Sequence, residues 1–349
     1  MSTTLIIPAC GQSARFPNMR PKWLLTHPDG KAMIVKAIEG LDLSEVDNIY
    51  IAVLKEHDDK YGFNHGIADQ LKRLDNIANA QCGVWFSYSL KPTKSQVETI
   101  ANLIEHEDLE GPIFIKDTDN YFNFKPSSSL NNYVTVASLN DLQLVNPSNK
   151  SYVMVNDKNV VTNIVEKTVI SNKFCCGGYG FASALDFLGC HHVKPNIEYI
   201  SQIILEMMYK DRVFTAHSVS NYKDWGTLED WQRDKQQYQT LFIDLDGVLV
   251  ENSAEYMEPK WGTTKGIQAN IDKINELFDS GKAHIVITTA RSEDHYDHIT
   301  INQLKRLGIK YHNVVFNCYP RRTVINDYAP PNPYPSCEAI NIPRNGNIP

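Results

Sequence analysis

No CxxC pair occurs in this sequence, no apolar run approaches the ~18 residues needed to span a bilayer, and the overall charge has no basic excess. Each absence excludes a class. The seven cysteines (Cys10, Cys82, Cys175, Cys176, Cys190, Cys318, Cys337) are odd in number and scattered, which argues against a disulfide framework or a zinc ribbon. Lys and Arg total 34 against 41 Asp and Glu, a net charge of −7, whereas a general nucleic-acid binder shows a basic face. The first residues run directly into the strand-like LIIPA without a leader-type apolar stretch, so a cytoplasmic protein is expected, with no membrane and no nucleic acid among its partners.

What is present is alternation. The 349 residues suit two domains, and 42% hydrophobic with 21% charged residues is an ordinary globular balance. Leu5–Ala9, Ile49–Leu54, Val84–Tyr88 and Ile113–Ile115 read as buried strands; Lys31–Leu41, Ile67–Leu74 and Gln96–His106 read as helices. Ser95-Gln96-Val97-Glu98 has the spacing of a capping box and starts the third helix. An α/β fold follows, with a mostly parallel sheet and ligands at the carboxyl ends of its strands. The pattern turns strand-rich from Tyr133 to Val219, with helices near Ala184–Leu188 and Ile197–Met208. A polar stretch over 230–237 precedes a new buried strand, Leu241–Asp244, which sets a domain boundary near residue 238. The second domain repeats the alternation: helix Ile267–Phe278, strand His284–Thr288, helix Ile299–Leu307, strands Val314–Asn317 and Thr323–Asn326. The proline-rich Pro330–Pro335 is expected to run extended over the surface.

The first chemistry-bearing stretch is Ile7-Pro8-Ala9-Cys10-Gly11-Gln12-Ser13-Ala14-Arg15-Phe16. Small residues let backbone N–H groups close around phosphates, and Arg15 adds a cationic fork; Lys22, after Pro21, adds a second cation. Asp117-Thr118-Asp119-Asn120 follows an apolar strand and offers hard oxygen ligands of the kind Mg²⁺ takes alongside phosphates. These stretches resemble the sugar nucleotidyltransferase family, whose signature is G-x-G/S-x-R-F followed by P-K. The resemblance extends over about residues 1–237 and implies a Rossmann-like, GT-A-like mixed sheet. It implies that Ala9, Gly11 and Ser13 bind nucleotide and that Arg15 and Lys22 are catalytic. Gln96 would contact the nucleobase, and Asp119, with the Asp224 of Asp224-Trp225-Gly226-Thr227, would hold Mg²⁺. Glu166 would contact the sugar, Lys167 the phosphate, and Gly178 would let the sugar ring approach. The same Asp117-x-Asp119 is also the D-x-D of glycosyltransferases that use nucleotide sugars. They usually lack the Arg-bearing phosphate loop and the P-K, so nucleotidyl transfer is preferred.

Phe242-Ile243-Asp244-Leu245-Asp246-Gly247 is the most specific signal: two carboxylates two residues apart at the end of a buried strand, costly without a cation or phosphate chemistry. It looks like motif one of the haloacid dehalogenase (HAD) superfamily. That resemblance implies that Asp244 attacks phosphorus and Asp246 exchanges the proton. Thr289 would steady the phosphoryl group, and Asp244, Asp246 and Asp327 would hold a second Mg²⁺. Arg322 is the choice for the basic third motif, with Arg321 and Lys305 as alternatives. Core helices and strands fill the intervals between these motifs, so a HAD-like Rossmannoid domain without a large cap is expected over 238–349. The combined expectation is a bifunctional enzyme that uses an NTP (CTP or UTP favoured) and a sugar or polyol phosphate, and removes a phosphate from a monoester. Nucleotide-sugar supply for surface polysaccharide, such as a capsule, would be its setting. Homo-oligomerisation, and the reading of one domain as a non-catalytic binding module, stay open.

Overall fold

The computed structural model describes residues 3–13, 15–16, 19–141, 147–327 and 337–349. The chain divides into two compact units, Met1–Trp231 and Gln232–Pro349.

In the first unit the strands are β1 (Thr3–Ala9), β2 (Val46–Leu54), β3 (Gly83–Ser89), β4 (Ile113–Lys116), β5 (Asn120–Asn123), β6 (Tyr133–Ser138), β7 (Ser151–Val155), β8 (Val161–Glu166), β9 (Lys173–Phe181), β10 (Thr215–Ser218) and β11 (Ser220–Asp224). The main sheet has the order β10-β6-β9-β4-β1-β2-β3, with β7 and β8 attached beside β9; β5 and β11 form a separate ribbon. β3, β2, β1 and β4 run parallel, as the strand–helix alternation predicts, and β9 turns the sheet mixed by pairing antiparallel with both β4 and β6. Helix Gln96–His106 shows how the layers close. Ser95 Oγ accepts from Glu98 N at 3.1 Å, and Val97, Ile100, Ala101, Leu103 and Ile104 form the stripe that packs on the sheet. Each fully buried Ile or Leu of that stripe contributes roughly 1.5–3 kcal/mol.

The second unit carries a three-stranded parallel sheet, β12 (Gln239–Asp244), β13 (Ala283–Thr288) and β14 (Asn313–Val315), with β13 in the middle. Helices Gln268–Asp279 and Glu293–Arg306 accompany it, and Ile243, Leu245, Ile271, Ile274, Ile285, Ile287 and Leu304 form its core. One expectation needs correction. The segment Thr323–Asn326 is not a strand: it has no regular secondary structure, and Val324 and Ile325 are 66% and 94% exposed. An apolar pair suggests a strand, but only a hydrogen-bonding neighbour makes one. The polar stretch over 230–237 belongs largely to a helix, Leu228–Lys235, anchored by the buried Trp231. The expected extended tail Pro330–Pro335 lies outside the described residues. Among the described residues no helix is long and apolar enough to cross a membrane.

Candidate functional site

Three strand pairings of the first unit build one cleft. β1 lies parallel to β4 with Ile6 opposite Ile115, so the loops after Ala9 and after Lys116 emerge at the same edge of the sheet. β9, antiparallel to β4, sets Gly178 opposite Lys116, and Asp117 N donates to Gly177 O at 2.8 Å. The β5–β11 ribbon puts Asn120 opposite Asp224, and Trp225 N donates to Asp119 O at 2.8 Å. The result is a cleft of about 410 Å³ whose walls include Arg15, Gln96, Asp117, Asp119, Glu166 and Asp224. An apolar cluster braces its rim: Phe16, Leu25, Met33, Trp225 and Trp231, with the two indoles edge-to-face at 5.4 Å. It fixes Phe16 beside Arg15 and Trp225 beside Asp224; truncating such an aromatic residue to Ala costs about 3–5 kcal/mol.

Charge inside the cleft is balanced pair by pair. Lys22 Nζ donates to Asp119 Oδ2, and Arg15 Nη2 stands 3.7 Å from the same oxygen. Burial works against ionisation of Asp119, but Lys22 and then Arg15 outweigh it and hold the carboxyl well below the usual range. Asp117 is the opposite case. Burial, then the neighbouring Asp119 charge, pushes it up to about 6, and its hydrogen bond from Gln96 Nε2 only partly offsets this. Lys150 Nζ lies 2.6 Å from Asp224 Oδ2 and donates to the Tyr222 hydroxyl at 3.0 Å. Glu166 accepts from the hydroxyls of Ser151 and Ser201, the latter at 2.7 Å, while Lys167 Nζ donates to the Tyr199 hydroxyl at 2.6 Å. Behind the cleft, fully buried Lys116 donates to Asp117 O at 2.8 Å and Asn120 O at 2.9 Å, tying the D-T-D-N turn together; burial pushes its ammonium down to about 8.

Most residues singled out in the sequence meet here. Arg15, Gln96, Asp119, Glu166, Lys167 and Asp224 line the cleft, and Lys22 reaches it through Asp119. Ala9 is buried at the end of β1, Gly11 is exposed, and Ser13 uses its hydroxyl to accept from Lys22 N at 3.0 Å. Ala14 lies outside the described residues. Of the glycine pair, Gly177 lines the cleft, whereas a side chain at Gly178 would point at Thr135, Phe114 and Phe122 in the interior. Gly177 has φ +90, and a Cβ there would sit 2.3 Å from Asn120 Nδ2 and 2.7 Å from Asp117 Oδ2, so both conformation and space require glycine. Lys150 escaped the sequence reading. It stands in a polar run, Asn149-Lys150-Ser151, with no local signal beyond its position just before a strand.

In the second unit Asp244 ends β12 opposite Thr288 of β13, and Asp246 follows in the turn. Arg322, the choice for the basic motif, meets Asp244 at 3.0 Å from Nη2 to Oδ1. Asp246 is held by Arg291, which donates from Nε at 2.9 Å and from Nη2 at 2.8 Å, and by the Ser253 hydroxyl at 2.6 Å. Arg291 is fully buried, and its role was missed although it stands in the T-T-A-R stretch. Thr289 is also fully buried, with its hydroxyl accepting from Arg291 N at 3.2 Å. Asp327 closes the described segment before 337.

The two acid sites differ as hosts for a divalent ion. Among the described residues no cluster of three or more His, Cys, Asp or Glu side chains forms a ready cage. Mg²⁺ bound with phosphates needs only one or two carboxylates. Asp119 and Asp224 are the carboxylates that would offer them: both border Gly226, where a Cβ would be 3.1 Å from Asp224 Oδ1 and 3.8 Å from Asp119 Oδ2. That donor set fits a magnesium ion accompanied by a triphosphate. The expected second magnesium site does not fit as arranged, because the fully buried Arg291 takes both carboxylate oxygens of Asp246, whereas each carboxylate of the first site keeps an oxygen without a guanidinium hydrogen bond.

No protein-family model matches the chain, and no curated protein matches it. Solved structures do. A nucleoside-diphosphate-sugar pyrophosphorylase from Vibrio cholerae RC9 is similar with a TM-score of 0.55 and 16% identity, over 66% of this chain and 99% of that one. The inositol-1-phosphate CTP transferase from T. maritima is similar with a TM-score of 0.50 and 14% identity, over 66% of this chain and 91% of that one. A UDP-glucose pyrophosphorylase complexed with UDP-glucose is similar with a TM-score of 0.50 and 17% identity, over 68% of this chain and 98% of that one. These likenesses establish a nucleotidyltransferase-like fold over about two thirds of the chain.

Proposed function

We propose that the chain is a bifunctional enzyme whose first unit transfers a nucleotidyl group from an NTP to a sugar or polyol phosphate. The observation that carries this reading is that the carboxylates of Asp119 and Asp224 both border Gly226, in a cleft that Arg15, Lys150 and Lys167 supply with positive charge. A phosphate oxygen of the acceptor attacks the α-phosphorus, the bond from that phosphorus to the bridging oxygen breaks, and pyrophosphate leaves. Mg²⁺, when bound, neutralises the phosphate oxygens. Arg15 and Lys22 face the triphosphate, Lys167 the acceptor phosphate and Gln96 the nucleobase. Glu166, fixed by Ser151 and Ser201, accepts from acceptor hydroxyls. The names of similar structures, which include a CTP transferase and a UDP-glucose pyrophosphorylase, support CTP or UTP as donor.

The second unit, over 238–349, is read as a HAD-type phosphatase without a large cap. Asp244 would attack the phosphorus of a monoester, the bond to the leaving alcohol would break, and water would then release the phosphate from Asp244. Arg322 offers charge to the phosphoryl oxygens, and Arg291 with Ser253 fixes Asp246 for proton exchange. A sugar bisphosphate could lose one phosphate here and be activated at its remaining phosphate in the first unit, supplying nucleotide sugars for surface polysaccharide. Inorganic phosphate release from p-nitrophenyl phosphate, lost in Asp244→Asn, tests the second activity. Pyrophosphate release with an NTP and an acceptor phosphate, lost in Asp119→Asn, tests the first. Retention of phosphate release by Asp244→Asn would remove the phosphatase assignment.

A further inference from the structure

Each carboxylate that would meet the metal already carries a lysine. Lys22 sits on Asp119 and Lys150 on Asp224, and all four side chains are largely buried: 18% and 14% exposed in the first pair, 14% and 12% in the second. Lys150 is held by three strands' worth of partners. It precedes β7, it donates to Tyr222 of β11, and its Nζ lies 5.9 Å from the Phe174 ring of β9 and 5.7 Å from the Tyr222 ring. Tyr222 is two residues before Asp224 on the same strand, so both side chains leave β11 on one face and Lys150 bridges them.

A divalent ion binds a carboxylate oxygen at about 2 Å. On Asp224 it would crowd the ammonium that now lies 2.6 Å from Oδ2, and the two cations would repel. A triphosphate changes this balance, because its oxygens can take the lysines and the metal together. We propose that Lys150, together with Lys22, is a resident counter-cation of the metal carboxylates, so that the divalent ion enters the cleft with the nucleotide rather than ahead of it. Lys150 is thus a positioning residue: it keeps Asp224 in place in the metal-free protein and releases it when phosphates arrive. The inference rests on the nucleotidyltransferase reading of the cleft.

Mn²⁺ is the probe, with free ion counted by electron paramagnetic resonance on the full chain in the absence of nucleotide. Lys150→Met leaves Asp224 without a counter-ion and is expected to bind Mn²⁺ about tenfold more tightly than the wild type. Lys150→Arg keeps the charge and is expected to match the wild type. Any ion bound outside the cleft is common to all the proteins and cancels in the comparison. Thermal melting checks folding, and Lys150→Gln provides the same comparison if the methionine variant does not fold. Equilibrium dialysis of the four NTPs with Mg²⁺ checks the nucleotide site. Equal Mn²⁺ affinity in wild type and the neutral variants, all folded and all binding an NTP, overturns the proposal and leaves the reading standing. Failure of the wild type to bind any NTP overturns the reading itself.

Discussion

The two units handle the same difficulty, acidic side chains gathered at the carboxyl ends of strands, with different cations. In the first, Asp119 and Asp224 are neutralised by Lys22 and Lys150, compact charges on flexible stems. In the second, Asp246 is gripped by two nitrogens of Arg291, which is fully buried, while Asp244 meets the partly exposed Arg322. A lysine can surrender its carboxylate to an arriving metal and phosphate. A buried bidentate arginine fixes its carboxylate and excludes a metal from it. The first site is therefore arranged for exchange of cations, and the second for holding one acid rigid beside an accessible one.

The comparison breaks most visibly if the sites are not independent. Asp119→Asn is expected to lower pyrophosphate release by about 10³-fold or more while leaving phosphate release from an aryl phosphate intact. Asp244→Asn is expected to do the reverse with a similar loss. Parallel assays of both variants check this, and loss of both activities in either one would dissolve the two-site picture. Next in size is the buried pair. Arg291→Met leaves the Asp246 charge uncompensated and is expected to cost the second unit about 3–5 kcal/mol in urea unfolding. Arg322→Met is expected to cost under about 1 kcal/mol, since its Asp244 contact is partly exposed.

A pH-dependent effect of intermediate size concerns Asp117, which has no lysine on its carboxylate. Its pKa rises from 3.8 in the unfolded chain to about 6 in the fold. The group's contribution to stability is therefore full below pH 4 and lost as pH climbs to 6 and above. Asp117→Asn removes that penalty, and thermal melting is expected to find it more stable than the wild type by about 1–3 kcal/mol at pH 8, the gain vanishing near pH 3.5.

What the sequence disclosed was what local physics encodes. Apolar runs marked β1 and β4, the Ser95–Glu98 spacing marked a helix start to the residue, and Asp244-Leu245-Asp246-Gly247 marked the end of β12. Asp119 and Asp224 were legible because each follows or ends a strand with a recognisable neighbour, Asn120 or Trp225-Gly226. Lys150 and Arg291 were not, since their partners lie far away in the chain: Lys150 precedes β7 while Asp224 ends β11, and Asp246 and Arg291 follow strands that only the β12–β13 pairing brings together. Thr323–Asn326 misled for the same reason in reverse: its side chains suit a strand, but strand character is conferred by a neighbour. Gly177 rather than Gly178 faces the cleft because strand alternation exchanges faces at every residue, a parity fixed only by the β4–β9 register.

The most direct test of the central claim is pyrophosphate release by the Asp244→Asn protein with Mg²⁺, each of the four NTPs and a panel of sugar and polyol phosphates. The substitution protects the substrates from hydrolysis by the second unit. Release with one NTP–acceptor pair, abolished by adding Asp119→Asn, is the predicted result. Silence across the panel, with a nucleotide sugar still bound by the cleft, would contradict the account and point to glycosyl transfer through Asp117-x-Asp119.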